Sequence, residues 1–182
     1  KYLNDDYIIK KASLYYYPKF ITYNIFYYQD VLKKDPYIKD VSIKRGFFSI
    51  KINIVEKRAV LFNGVSNEYS FNDNTKIKES DSVVKFVLPR LLNFVPNNIY
   101  RELINSLSKI NDNILNKISD IEYSPNNIDK ERFILYMNDG NLVYITLTKF
   151  NKISYYDNIY SQLDNHKGIL YLDNGNHFEI KE

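Results

Sequence analysis

Ile38-Lys39-Asp40-Val41-Ser42-Ile43-Lys44-Arg45 and, beyond Gly46, Phe48-Ser49-Ile50-Lys51-Ile52-Asn53-Ile54-Val55-Glu56 form the stretch on which the fold turns. Val41 and Ile43 alternate with polar residues, and Phe48, Ile50, Ile52 and Ile54 alternate with Ser49, Lys51 and Asn53. A period of two sends successive side chains to opposite faces of a pleated strand. The two runs are separated by only a few residues around Gly46, which permits a tight turn, so they predict an antiparallel hairpin. Its even-numbered apolar side is expected to cover the segment that precedes it.

Upstream the period is helical. Asn4 stands before Asp5, Asp6, Tyr7, Ile8, Ile9 and Ala12, a cap residue followed by two acids where a helix N-terminus stabilises them, which predicts a helix over about 5 to 12. Thr22 is the expected cap of a second helix that places Ile25, Tyr28 and Leu32 on one face and ends at Lys33, Lys34 and Pro36. The first unit therefore reads α, α, β, β.

Downstream, a second set of elements begins near Ala59 to Phe62 and includes a short strand expected at Tyr69 to Phe71, with turns at Asn63-Gly64 and Asn72 to Asn74. Pro96 opens a helix carrying Ile99, Leu103, Leu107 and Ile110, with a short helix around Ile114 to Lys117. The last third reads as sheet: Ile118 to Tyr123, Arg132 to Met137 and Leu142 to Leu147, the latter two joined by Asn138-Asp139-Gly140. An amphipathic helix on Ile153, Tyr156, Ile159 or Tyr160, and Leu163 stops before Gly168. A final hairpin pairs Ile169 to Leu172 with His177 to Ile180 across Asp173-Asn174-Gly175.

Composition narrows the functional classes. The 182 residues carry a net charge of +3 and no cysteine, so neither a disulfide framework nor a thiolate site is available. Residues 1–60 hold 12 Lys/Arg against 6 Asp/Glu, and residues 61–182 hold 13 against 16, so the first part is basic and the second mildly acidic. The longest apolar run, Phe133 to Met137, is far short of the roughly 20 residues that span a bilayer. Because Lys1 is not an initiator Met, the chain is expected to be a fragment, with any signal or anchor upstream of it out of view.

No catalytic pattern emerges. His166 and His177 lack metal-ligand spacing, and GxSxG, GxxxxGK[ST] and GxGxxG are all absent. Asp5/Asp6 and Asp120/Glu122 read as helix N-terminal charge and the polar face of a strand, not as acid/base pairs. Lys10, Lys11, Tyr15, Tyr16, Tyr17 and Lys19 intermix basic and aromatic residues, but without a nucleic-acid-binding motif or a strongly basic chain they read as packing. The expectation is a binding module that is not an enzyme, with no metal, no cofactor and no nucleic acid.

The order of elements and several strings then resemble a known family. Leu32-Lys33-Lys34-Asp35-Pro36-Tyr37-Ile38 leading into Val41-Ser42-Ile43-Lys44-Arg45, then IKINIVE at Ile50 to Glu56 with Arg58 after it, resembles the POTRA domain of FtsQ/DivIB cell-division proteins. Tyr69 to Asp73, Leu88 to Leu92, ISDIEY at 118–123, RFILYMNDGNLVYI at 132–145, Ser154 to Leu163 and KGILYLDNGNHFE at 167–179 are similar to the DivIB β-domain. The first strand of the POTRA pattern would fall before Tyr2. The resemblance implies an α+β chain: a small POTRA-like domain of helices packed on a short sheet at 1–60, then a larger mixed β-sheet domain with covering helices at 61–182.

It also implies a divisome scaffold at the septum, single-pass in the cell membrane through a helix upstream, with this region extracytoplasmic. Its partners would be DivIC/FtsB-type and FtsL-type division proteins, and its role to connect them to septal peptidoglycan synthesis. Strand addition to the last hairpin is the expected mode, with Tyr171, Leu172, Asp173, Asn174, Gly175, His177 and Phe178 as partner-binding residues. Lys44, Arg45, Lys51, Lys57 and Arg58 form an expected basic face toward anionic lipid or an acidic partner. The alternative is a POTRA-type scaffold in protein export or outer-membrane assembly, although the tandem repeats of such scaffolds are missing.

Overall fold

The computed structural model describes residues 2–14, 24–47, 49–162 and 166–180. The chain splits into two compact units, Lys1–Lys57 and Arg58–Glu182, with the boundary a little before the one expected after residue 60.

The first unit contains α1 (Asp5–Lys11), α2 (Ile25–Lys33), β1 (Ile38–Arg45) and β2 (Ile50–Glu56). Asn4 caps α1 by accepting the Tyr7 N–H at 2.8 Å. The cap of α2 is Asn24, which accepts the Tyr27 N–H at 3.2 Å, rather than the expected Thr22, which lies outside the described residues. β1 and β2 pair antiparallel, with Val41 opposite Ile54 and Ile43 opposite Ile52. Leu32 of α2 and Ile38 and Val41 of β1 are buried, so the apolar stripe of the helix meets the apolar side of the hairpin.

Two carboxylates pin this unit. Asp35, 4% exposed, accepts from the Tyr7 hydroxyl at 2.6 Å and the Tyr37 N–H at 3.0 Å, and pairs with Lys11 at 3.2 Å. Glu56, at the end of the IKINIVE run, accepts the N–H groups of Tyr2 and Leu3 at 2.8 and 3.1 Å.

The second unit is built on a nine-stranded mixed sheet. Its strands are β3 (Ala59–Asn63), β4 (Glu68–Phe71), β5 (Lys76–Lys78), β6 (Arg90–Leu91), β7 (Ile118–Tyr123), β8 (Arg132–Met137), β9 (Leu142–Thr146), β10 (Gly168–Tyr171) and β11 (His177–Ile180). Their order across the sheet is β11-β10-β9-β8-β7-β6-β3-β4-β5. β6 runs parallel to both β3 and β7, and β10 runs parallel to β9; the other neighbours are antiparallel.

One sheet face is covered by α3 (Asn97–Lys109), α4 (Asp112–Leu115), a 3-10 segment at Leu147–Tyr155 and α5 (Tyr156–Ser161). Ile99, Leu103, Ile104 and Leu107 of α3 join Leu91, Ile121, Phe133, Leu135, Val143, Ile145 and Leu170 in one core. Three expectations shift: the short helix starts at Asp112 instead of Ile114, β9 gives way to 3-10 turns at Leu147, and the helix around Ile153 begins only at Tyr156. Phe150 and Ile153 are buried from the 3-10 segment, so an apolar spacing read as one α-helix is satisfied by tighter turns.

Candidate functional site

β11 ends the sheet, and no described residue pairs with its outer side. The direction of its backbone groups follows from its neighbours. In β10 the Gly168 N–H donates to Asn141 Oδ1 at 2.8 Å and the Leu172 N–H, one residue past the strand, donates to the Tyr144 carbonyl at 2.8 Å. Both point toward the β9 side, so Ile169 and Tyr171 point toward β11, where they meet Glu179 and His177. By the same alternation, Phe178 and Ile180 direct their N–H and C=O groups outward, away from the sheet.

The side chains of the hairpin divide between two faces. Leu172 is buried in the core, and Phe178 packs against that core with its ring over Gly168. A Cβ on Gly168 would run into the Glu179 carbonyl and the Phe178 ring, so this residue allows β11 to approach. Tyr171 and His177 lie on the opposite face, so the expected binding set does not form one surface: Leu172 and Phe178 serve the interior.

On that opposite face a stack crosses four strands. The Arg132 guanidinium of β8 lies 4.1 Å from the centre of the Tyr144 ring of β9. Tyr144 stacks on Tyr171 of β10 with centroids 5.1 Å apart and planes 6° apart, and Tyr171 stacks on His177 of β11 at 4.5 Å and 11°. The Tyr171 hydroxyl donates to Glu179 at 3.1 Å, a bond that pushes the phenol above its ordinary pKa. Further along the face the Tyr136 hydroxyl donates to Glu122 at 2.6 Å, and that bond, with partial burial, pushes it up to about 12.

The turn is anchored from below. Asp173 pairs with Arg132 at 2.6 Å with both side chains largely covered, its carbonyl accepts from Lys149, and Lys152 donates to Asn176 at 2.9 Å. Gly175 has φ +95°, a conformation side chains disfavour, which explains a glycine at this point of the turn. Arg132, Tyr144 and Ile180 escaped the sequence reading. The hairpin within RFILYMNDGNLVYI was visible, but not that strands β9 and β10 would run parallel and set Tyr144 beside Tyr171.

The expected basic face separates into parts. Lys44 and Lys51 sit opposite each other on β1 and β2, both exposed, with Arg45 at the strand end opposite Ile50. Lys57 closes the first unit, its N–H donating to the Tyr37 carbonyl at 2.8 Å. Arg58 belongs to the second unit, where it caps the end of α3: it donates to the carbonyls of Ser108 and Ile110 at 3.0 and 2.7 Å and pairs with Asp112 at 2.6 Å. Among the described residues no group of three His, Cys, Asp or Glu is placed to hold a metal ion, and no helix is long and apolar enough to cross a membrane.

A two-helix, two-strand unit precedes a mixed sheet with helices on one face, an α+β chain, and residues 1–57 match the family model described as POTRA domain, FtsQ-type. The chain is similar in sequence to proteins named cell division protein DivIB. It is 35% identical to DivIB of Brevibacillus brevis over 121 residues, covering 64% of this chain and 46% of the relative. It is 29% identical to DivIB of Listeria monocytogenes over 126 residues (67% and 47%) and 28% identical to that of Bacillus cytotoxicus over 155 residues (83% and 60%). Thus the matches span about half the length of the first of these relatives. The solved major extracytoplasmic domain of the trans isomer of DivIB from Geobacillus stearothermophilus aligns at 24% identity and a TM-score of 0.49, over 60% of this chain and 96% of that one.

Proposed function

We propose that this chain is the extracytoplasmic, partner-binding part of a membrane-anchored division scaffold. It takes up DivIC/FtsB-type and FtsL-type proteins at the septum and ties them to peptidoglycan synthesis, with no chemistry of its own. The observation that carries the reading is the outer edge of β11, where Phe178 and Ile180 turn their backbone groups away from the sheet. Such an edge is a template for one more strand, because ladder hydrogen bonds supply affinity whatever the partner's exact sequence. Its similarity to DivIB supplies the division context.

The test is a titration of the outer segments of a DivIC-type and an FtsL-type protein against the wild-type chain and Ile180→Pro. Ile180 is 56% exposed, and proline removes an N–H that faces away from β10, so the hairpin's own ladder survives. Binding to the variant should fall by about tenfold, the order expected when a ladder hydrogen bond is lost and a buried carbonyl is left unmet. Unchanged affinity for both segments would move the interface elsewhere.

A further inference from the structure

We infer that the strand received by β11 is a segment of another protein bearing the pattern cation–apolar–aromatic, paired antiparallel so that its aromatic residue extends the Arg132–Tyr144–Tyr171–His177 stack. The inference rests on the strand-addition reading and specifies the chemistry and register of the occupant.

His177 and Glu179 exchange their backbone hydrogen bonds with β10, so on the outer side they occupy the non-hydrogen-bonded positions of a new antiparallel ladder. Facing side chains come closest at such positions, about 4.5 Å between Cα atoms. The inner face of the imidazole already lies on Tyr171, leaving its outer face toward the edge. Every step inward along this row is a flat cation or an aromatic ring, and a ring opposite His177 repeats the same contact.

Two residues along, Glu179 is exposed and its carboxylate takes one hydroxyl donor, Tyr171. A Lys or Arg opposite Glu179 is favoured by charge. In an antiparallel partner that cation comes two residues before the aromatic one, and the residue between them falls on the other face beside Phe178, which calls for an apolar side chain. The chain's own edge, Asn176-His177-Phe178-Glu179-Ile180, contains no such triplet, which argues against a second copy as the occupant.

Two short synthetic strands test this on the whole chain, one centred on Lys-Val-Tyr and one on Lys-Val-Ala. Both should slow amide hydrogen exchange at Phe178 and Ile180. The tyrosine strand should bind about two- to tenfold tighter and shift the His177 ring protons upfield, and His177→Leu should abolish the difference between the strands. Equal affinities with the exchange protection intact would overturn the stacking register and leave strand addition standing. Absence of protection with either strand would overturn strand addition itself. Protection that rises with the concentration of the chain alone would make a second copy the occupant and also overturn the inference.

Discussion

Gly168 shows how one residue positions the candidate edge. Nothing but hydrogen fits between it and β11, so Gly168→Ala forces the Glu179 carbonyl and the Phe178 ring to move. The expected cost is about 1–3 kcal/mol, as for other overpacked sites, read as a lowered urea midpoint with an unchanged slope. Asn141 holds the same point from the other side: it accepts the Gly168 N–H and donates to the Tyr156 hydroxyl at 2.9 Å, which in turn donates to Asp139 at 2.7 Å. Burial first, and the bond to Asp139 second, hold the Tyr156 phenol well above its ordinary value of 10.0. The folded state therefore keeps a proton that the unfolded chain loses, so this contribution is complete below pH 10 and declines as pH rises above it. Stability measured between pH 9 and 11.5 or so should fall less steeply in Tyr156→Phe than in the wild type. Parallel slopes would remove Tyr156 from the alkaline response.

At the scale of elements, the hairpins were the legible part. ISDIEY and RFILYM gave β7 and β8 with the bounds found in the structure, because short runs rich in Ile, Phe and Tyr favour strands and the Asp139-Gly140 turn closes the second. β6 was not readable as a strand: it has two residues beside Pro89, and only its parallel neighbours β3 and β7 make it one. Long-range pairing of this kind leaves no local period in the sequence. The candidate edge was legible as a hairpin but not as a surface, since the split of Phe178 from Tyr171 and His177 depends on which side α3 covers. In the first hairpin, Lys44 faces Lys51 across the ladder. Like charges at facing positions repel, so Lys44→Glu should raise stability by about 0.2–1 kcal/mol at low salt, with the gain shrinking as salt is added. A loss of stability would mean that neighbouring charges, not Lys51, dominate this site. The same variant should reduce salt-sensitive binding to anionic vesicles if the basic side of this unit meets lipid.

At the scale of the whole molecule, a basic unit that matches the FtsQ-type POTRA model is followed in the chain by a larger sheet unit, with Lys57 ending one and Arg58 capping a helix of the other. Each unit has its own buried residues, and among the described residues only the second presents an edge built up by a stack of rings and an anchored turn. We propose that partner capture falls to that edge. Amide hydrogen exchange measured residue by residue, with and without the outer segment of a DivIC-type partner, tests this most directly. Strand addition predicts that Phe178 and Ile180, fast in the free chain, become slow in the complex, while His177 and Glu179, already bonded to β10, change little. Continued fast exchange at Phe178 and Ile180 in a saturated complex would contradict it.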